Sequence, residues 1–354
     1  MSKEKIVVDI VCPTGGREGG IEDVIRTWTQ NINDDTFDLR VMHMTPGVGY
    51  LDGYEKAYFL KEEGDYMNPS YCASGYSLLI NQLGAPDICI ATVSPMMSSV
   101  CDAVRKHNGL SMPVFSWVHS EIEKYRDYGH GGVREILHAD EHFVINSTMA
   151  QEILDADQNA KVHNIGNPIV HEDIPSYEIP KGNTISYVGR LAEEKRLDII
   201  LEAMYRARSK WNLNIIGDGE IKNEVEGWIK LLKLDKQVKL LGWKDNPLPY
   251  IRDSIAVVAA SEYEGFMISG VEALSVGKML ISTPTQGVKD YLTDSVNGYF
   301  FDFEDAQGLA SILDDLYSKK REIATPETCI HSVSKYSKEG YFANVKKILL
   351  GALN

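Results

Sequence analysis

Several features are scarce or missing in this chain. Five cysteines occur in 354 residues, an odd number with no CxxC pair. That excludes a disulfide framework and a zinc knuckle, and fits a reducing compartment. His107, His130, His138, His142, His163 and His331 share no ligand-like spacing, so no metal site is expected. No apolar run approaches the roughly 18 residues of a membrane span. The opening MSKEKIVVDI goes straight into a strand pattern without an apolar leader. The expected location is the cytoplasm, with at most peripheral membrane contact. Basic residues are also short, with 36 Lys and Arg against 51 Asp and Glu, a net charge of −15. A nucleic-acid partner would need a basic footprint that this total does not supply. The deficit is uneven: residues 1–168 hold 13 basic and 24 acidic side chains, the remainder 23 and 27. The average field of the first part therefore repels an anionic bilayer.

What is present is ordinary for a globular protein: 44% apolar and 25% charged residues, on a chain long enough for two domains. Ile6 to Cys12 (IVVDIVC) is a β-branched run that reads as a buried strand feeding the Gly-rich loop PTGGREGG. A helix follows from about Gly20–Ile21, with apolar residues at helical spacing. Further strands are expected at 39–44, 88–93, 114–119, 141–146 and 162–165, with helices at 68–83, 130–138 and 148–155. Residues 169–183 carry two prolines and no period, and read as a linker. The alternation then restarts. Strands are expected at 184–188, 213–216, 238–241, 255–259, 279–282 and 298–301. Helices are expected from near Lys195, at 220–232, 268–276, briefly from Val288, at 305–318 and at 333–350. Strand alternating with helix predicts two αβα layers, each on its own parallel sheet. The domains read as 1–168, 184–332 and a last helix in 333–354 that packs back on the first.

In such sheets ligands bind past the carboxyl ends of the strands, and two facing domains make a cleft. The loop ending in Gly19 and Gly20 offers backbone N–H groups at a helix start, suited to an anion; its plainer reading is a surface turn. In YVGRLAEEKRLD, Gly189 ends a strand while Arg190 and Lys195 bracket the next helix, a cationic pair fit for a diphosphate. Here Glu193 and Glu194 favour the plainer reading of solvated surface charge. Glu264 and Glu272 stand in a strand-following loop and in the helix after it, with Gly265, Phe266, Met267 and Ile268 between or beside them. Carboxylates accept from sugar hydroxyls, and the intervening N–H groups suit a phosphate; otherwise they are a helix cap and a solvent-facing Glu272. His119 closes VFSWVH, placed for a cleft or for supporting a loop. Gly217-Asp218-Gly219 is a tight strand-to-helix turn, too short of glycines for a dinucleotide fingerprint. Trp28, Trp211 and Trp228 read as packing, and Lys233, Lys236 and Lys239 as a solvated edge.

These segments resemble the retaining nucleotide-sugar glycosyltransferases of family 4, which have the GT-B fold: two Rossmann-like αβα domains across a cleft. The matching stretches are GGIEDVI at 19–25, YVGRLAEEKRLDIILEAM at 187–204, IIGDGE at 215–220 and EYEGFMISGVEALSVGKMLISTPTQGVKDYL at 262–292. The resemblance covers essentially the whole chain. It implies that Gly19 and Gly20 contact donor phosphates or acceptor, and that Arg190 and Lys195 bind the diphosphate beside Gly189 and Gly217. It also implies that Glu264 binds donor-sugar hydroxyls, that Glu272 binds the ribose, and that the amides of Gly265, Phe266, Met267 and Ile268 cap sugar or phosphate. The same resemblance puts His119 by the anomeric centre and the base near Trp243, within Gly242 to Asn246. Ile21-Glu22 and Asn167-Pro168-Ile169 depart from the commoner Ala-Glu and Asn-Gly-Val, as in transferases acting on lipopolysaccharide and other surface glycans. Met267-Ile268 replaces a commoner Gly-Leu.

The implied activity is metal-independent transfer of a hexose or N-acetylhexosamine from a UDP-sugar co-substrate, with no other cofactor. The acceptor would be a surface or cell-wall glycan, lipid-linked or borne on a glycoprotein. Attack would come from the face of departure, with the β-phosphate helping to deprotonate the acceptor. A nucleotide-sugar 2-epimerase shares the two-domain layout but would turn over the donor alone. A non-catalytic sugar-nucleotide-binding subunit would bind without turnover.

Overall fold

A computed structural model describes residues 5–14, 19–47, 49–60, 64–173, 175 and 177–354. The chain divides into two compact units, Met1–Pro168 with Lys338–Asn354, and Ile169–Ser337.

Among the described residues, the first unit has strands β1 (Ile6–Cys12), β2 (Phe37–His43), β3 (Ala57–Phe59), β4 (Ile88–Thr92), β5 (Val114–Trp117), β6 (Glu141–Val144) and β7 (Lys161–Asn164). They form one sheet in the order β3-β2-β1-β4-β5-β6-β7, every neighbouring pair parallel. The short edge strand β3 was not anticipated. Covering helices are α1 (Gly20–Asn31), α2 (Pro69–Leu83), α3 (Met96–His107), α4 (Ile122–Asp127), α5 (Val133–Ile136) and α6 (Ser147–Ala156). Parallel strands covered on both faces need apolar side chains in both directions, and Val8, Ile10, Val11, Ile88, Cys89 and Ile90 are fully buried or nearly so. The exception is Asp9, buried at the middle of β1. Arg40 grips it at 2.6 and 3.1 Å, and the Tyr76 hydroxyl donates to it at 3.1 Å.

In the second unit, β8 (Thr184–Val188), β9 (Asn212–Ile216), β10 (Val238–Gly242), β11 (Ala256–Ala259), β12 (Met279–Ser282) and β13 (Gly298–Phe300) form a parallel sheet in the order β10-β9-β8-β11-β12-β13. Its helices are α7 (Leu197–Arg206), α8 (Lys222–Leu231), α9 (Ile268–Ser275), α10 (Ala306–Tyr317) and α11 (Pro326–Ser332). The expected long last helix is divided: Ser334–Tyr336 is a single 3-10 turn, and α12 (Lys338–Gly351) starts after it. This helix completes the first unit. Trp28 of α1 lies 4.5 Å from the Trp117 ring and 6.1 Å from that of Phe143, and Tyr341 and Phe342 of α12 close the cluster at 6.3 and 6.0 Å. Trp28 and Trp211 are buried, as packing residues should be, whereas Trp228 is only half-buried. Among the described residues no helix is long and apolar enough to cross a membrane.

The first unit buries three histidines whose protonation sets its acid stability. Burial pushes His43 and His142 down to about 4 and His119 down to about 3. In the unfolded chain they titrate near ~6.5. Below that pH the unfolded chain takes up protons that the folded one refuses, so their contribution is complete above ~6.5 and is lost as the pH falls toward 4. Asp9, raised to about 6 by burial against the pull of Arg40, acts in the opposite sense over the same range. Glu121 and Glu152, raised by burial, act with Asp9, and His130, lowered by burial, acts with the three histidines, whose large shifts decide the sign. Calorimetry should therefore show the transition of the first unit several degrees lower at pH 5 than at pH 7.5, and an equal or higher midpoint at pH 5 would contradict this account.

Candidate active site

The strand order of the second sheet reverses at β8 and β11, which lie side by side. Loops leaving such a pair part to opposite faces and open a crevice at the carboxyl edge. The turns after β8 and β9 approach one another backbone to backbone. Gly189 (φ 158) donates its N–H to Ile216 O at 3.1 Å, and Gly217 (φ 151) donates to Gly242 O at 3.0 Å. A Cβ on Gly217 would lie 1.9 Å from Gly189 O, and one on Gly219 would lie 2.3 Å from Leu191 O. The Gly-Asp-Gly turn is thus a close main-chain approach that only glycine permits.

The turn after β8 carries the cations. The helix expected from near Lys195 is a 3-10 turn, Glu193–Lys195; Arg196 follows in a left-handed conformation (φ 49) and α7 begins only at Leu197. Lys195 Nζ lies 2.8 Å from Glu264 Oε1, which also accepts from the Ser261 hydroxyl at 2.9 Å. Both members of the pair are largely buried. Arg196 locks this turn onto the loop after β11. Its guanidinium reaches Asp198, Glu262 at 2.8 Å and Glu304 at 3.0 Å, and the Glu262 N–H donates to Glu194 O at 2.9 Å. Arg190 is placed differently: half-exposed, it bonds Glu194 at 2.5 Å and Glu220 at 3.1 Å. Its exposure and its pairing with carboxylates agree with the plainer reading of surface charge.

Glu264, Gly265, Phe266 and Met267 then lead into α9. Met267 adopts φ 60, ψ 75 just before the helix, and the Tyr291 hydroxyl lies 3.0 Å from both the Phe266 and Met267 carbonyls. The N–H groups of Ile268 and Ser269, the first of α9, have no intrahelical acceptor by helix geometry. Gly287 packs so closely that a Cβ there would sit 2.3 Å from Gly265 O. Glu272, one turn into α9, is buried rather than solvent-facing, and its Oε1 accepts from the main-chain N–H of His171 at 2.7 Å and from His171 Nδ1 at 2.9 Å. His171 lies in the stretch expected to be a bare linker. That stretch is anchored to the unit by Ile169 N–H on Tyr336 O at 2.8 Å and by Asp173 on Arg252 at 3.0 Å. Trp243 follows β10 with 62% of its surface exposed, a large aromatic face left open beside the same carboxyl edge.

In the first unit, β5 ends at Trp117 rather than at His119. The Trp117 carbonyl accepts from Val93 N–H (3.3 Å) and the Thr92 hydroxyl (2.9 Å), while the His119 N–H goes to the Tyr125 hydroxyl (3.2 Å), so the ladder stops. With its proton on Trp117 O, Thr92 Oγ1 must accept from His119 Nε2, 2.9 Å away. Nδ1 is then a bare acceptor, buried and without a partner among the described residues. Burial keeps this ring neutral. Gly19 is extended and Gly20 opens α1, whose Asp23 N–H returns to Gly19 O at 3.1 Å. Residues 15–18 of the Gly-rich loop lie outside the described residues.

His171, Arg196, Ser261 and Tyr291 were not singled out in the sequence. Arg196 adjoins the Glu-Glu-Lys run and Tyr291 lies in the long motif, but nothing in the spacing tells which carboxylate or carbonyl each would meet.

A doubly wound parallel sheet bearing a Lys–Glu pair at its switch point, with a second parallel α/β unit on the same chain, is the architecture of the GT-B fold. Residues 170–332 match the family model described as Glycosyl transferases group 1, so the second unit is a group 1 glycosyltransferase domain. The chain is similar to a lipopolysaccharide 1,6-galactosyltransferase of Escherichia coli (strain K12), 26% identical over 367 aligned residues and 99% of both chains. Among solved structures, the apo form of lipopolysaccharide outer core galactosyltransferase WaaB covers 98% of this chain and 99% of its own, at 21% identity and a TM-score of 0.83. Anabaena Alr3699/HepE in complex with UDP covers 98% of this chain and 100% of its own, at 15% identity and a TM-score of 0.80.

Proposed function

We propose that this glycosyltransferase is a retaining enzyme that moves a hexose or N-acetylhexosamine from a UDP-sugar to a growing cell-surface glycan, with an acceptor of the lipopolysaccharide-core kind. The observation that carries this reading is the Lys195–Glu264 pair, 2.8 Å apart at the crevice of the second sheet. Breaking the anomeric C–O bond leaves negative charge on the diphosphate while the sugar becomes cationic. An ammonium fixed at the leaving group stabilises that charge more in the transition state than in the ground state. Glu264 takes hydroxyls of the sugar, Glu272 the ribose diol and Trp243 the base. Arg190, drawn from Glu194 and Glu220, adds a second cation. His119 Nδ1, a neutral ring nitrogen without a partner among the described residues, can accept from a hydroxyl. The incoming acceptor hydroxyl loses its proton to the departing phosphate on the same face, so the configuration is kept. No metal is needed where fixed side-chain cations do this work. The relatives' names, two of them lipopolysaccharide galactosyltransferases, support the acceptor class, and the UDP complex of the Anabaena protein supports the donor.

A donor panel tests this. UDP-Glc, UDP-Gal, UDP-GlcNAc, UDP-GalNAc and GDP-Man are compared for slow hydrolysis and for protection against thermal unfolding, with and without EDTA. One UDP-sugar should raise the midpoint and release UDP, unchanged by EDTA. Preference for GDP-Man, or loss of turnover in EDTA, would refute the corresponding part. Formation of an epimer without acceptor would move the protein to the epimerases.

A further inference from the structure

We infer that His171 is a positioning residue of the donor site: it holds one oxygen of Glu272 so that the other is presented to the ribose of the nucleotide. The inference rests on the donor reading above and adds a residue from the stretch joining the two units. Three observations carry it. Main-chain N–H and ring Nδ1 of the same residue converge on Glu272 Oε1, at 2.7 and 2.9 Å. An ionised carboxylate only accepts, so the ring proton lies on Nδ1. Glu272 itself is 2% exposed, and its second oxygen carries no hydrogen bond among the described residues. A buried carboxylate with one oxygen doubly bound and the other open is set to accept from a ligand diol. Finally, the peptide that carries His171 is fixed on either side, by Ile169 on Tyr336 and by Asp173 on Arg252. The grip therefore comes from an anchored segment and not from a mobile side chain. Asn246, three residues past Trp243, reaches the Glu172 carbonyl at 3.5 Å, which ties the same segment to the loop after β10.

Holding Glu272 in one orientation removes the cost of ordering it when nucleotide arrives. It acts on binding and not on bond breaking, so its loss should raise KM for the donor and leave kcat nearly alone. His171→Leu removes the ring donor, while His171→Asn places an amide N–H close to where Nδ1 stood. Titration calorimetry with UDP and with 2′,3′-dideoxy-UDP, on the full chain, reads the effect. His171→Leu should weaken UDP about tenfold and leave the dideoxy analogue within about twofold. His171→Asn should recover most of the loss, and Glu272→Gln combined with His171→Leu should lose little more than Glu272→Gln alone. Equal weakening of UDP and its dideoxy analogue, or wild-type UDP affinity in His171→Leu, would overturn the positioning role while leaving the donor reading intact. A wild-type protein that binds no UDP would overturn both.

Discussion

Lys195→Ala is expected to lower kcat at saturating donor by about 10²- to 10³-fold while the protein stays folded, the size of loss seen when one transition-state donor is removed. The structure explains why so much should hang on one flexible side chain. The ammonium is held 2.8 Å from Glu264 instead of sampling its rotamers in solvent. When a donor binds, sugar hydroxyls can take over the Glu264 oxygen, and the ammonium can turn to the diphosphate with little further ordering. Lys195→Arg keeps a charge but replaces a compact ammonium with a planar fork, and should recover only part of the rate. Arg190→Ala should fall by a smaller factor, because that guanidinium must first leave Glu194 and Glu220. Steady-state kinetics with the preferred donor decide the matter, and unchanged kcat in Lys195→Ala would remove the central cation from the mechanism.

Gly217→Ala is expected to be among the most damaging conservative changes in the second unit. The added methyl carbon would stand 1.9 Å from Gly189 O, and φ is 151, outside the range that alanine tolerates. Backbone strain and overpacking together suggest a loss of about 2–5 kcal/mol. The two turns would also be forced apart, and nucleotide affinity should fall with them. Gly227→Ala makes the control. Gly227 lies inside α8, exposed, with nothing within 4 Å of the new carbon and no positive φ. There alanine should add roughly 0.5–1 kcal/mol. Paired denaturation curves check both, and similar midpoints for the two variants would show that the close approach is not a constraint.

The alternation of β-branched runs with amphipathic segments made both sheets legible, because parallel strands covered on both faces leave a continuous apolar signature. Thr184–Val188 and Met279–Ser282 match the expected strands residue for residue. Some misses had a readable cause. The helix α3 carries buried Met96, Met97, Val100, Cys101 and Val104 at helical spacing, and Asp102 pairs with both Arg105 and Lys106 along its side. Its apolar positions are interleaved with Ser98, Ser99, Asp102, Arg105 and Lys106, which masks the period. The expected start of the last helix at 333 reflects the helical spacing of Val333 and Tyr336, yet both are buried within the second unit. For the site, residue types near strand ends pointed to Lys195 and Glu264, but not to their contact. Pairings across about 70 or 100 residues, such as Lys195 with Glu264 or His171 with Glu272, depend on which strands lie side by side. That is a property of the sheet order, which no local pattern encodes.

The return of α12 to the first unit has a consequence for synthesis. Residues 5–168 emerge from the ribosome first, but the aromatic cluster around Trp28 lacks Tyr341 and Phe342 until the chain has been made almost 180 residues further. The second unit, drawn from one unbroken stretch, has all its parts available sooner. In translation, then, the segment made first is finished last. Until then the Trp28 indole, packed on Trp117 and Phe143, lacks the cover of Tyr341 and Phe342.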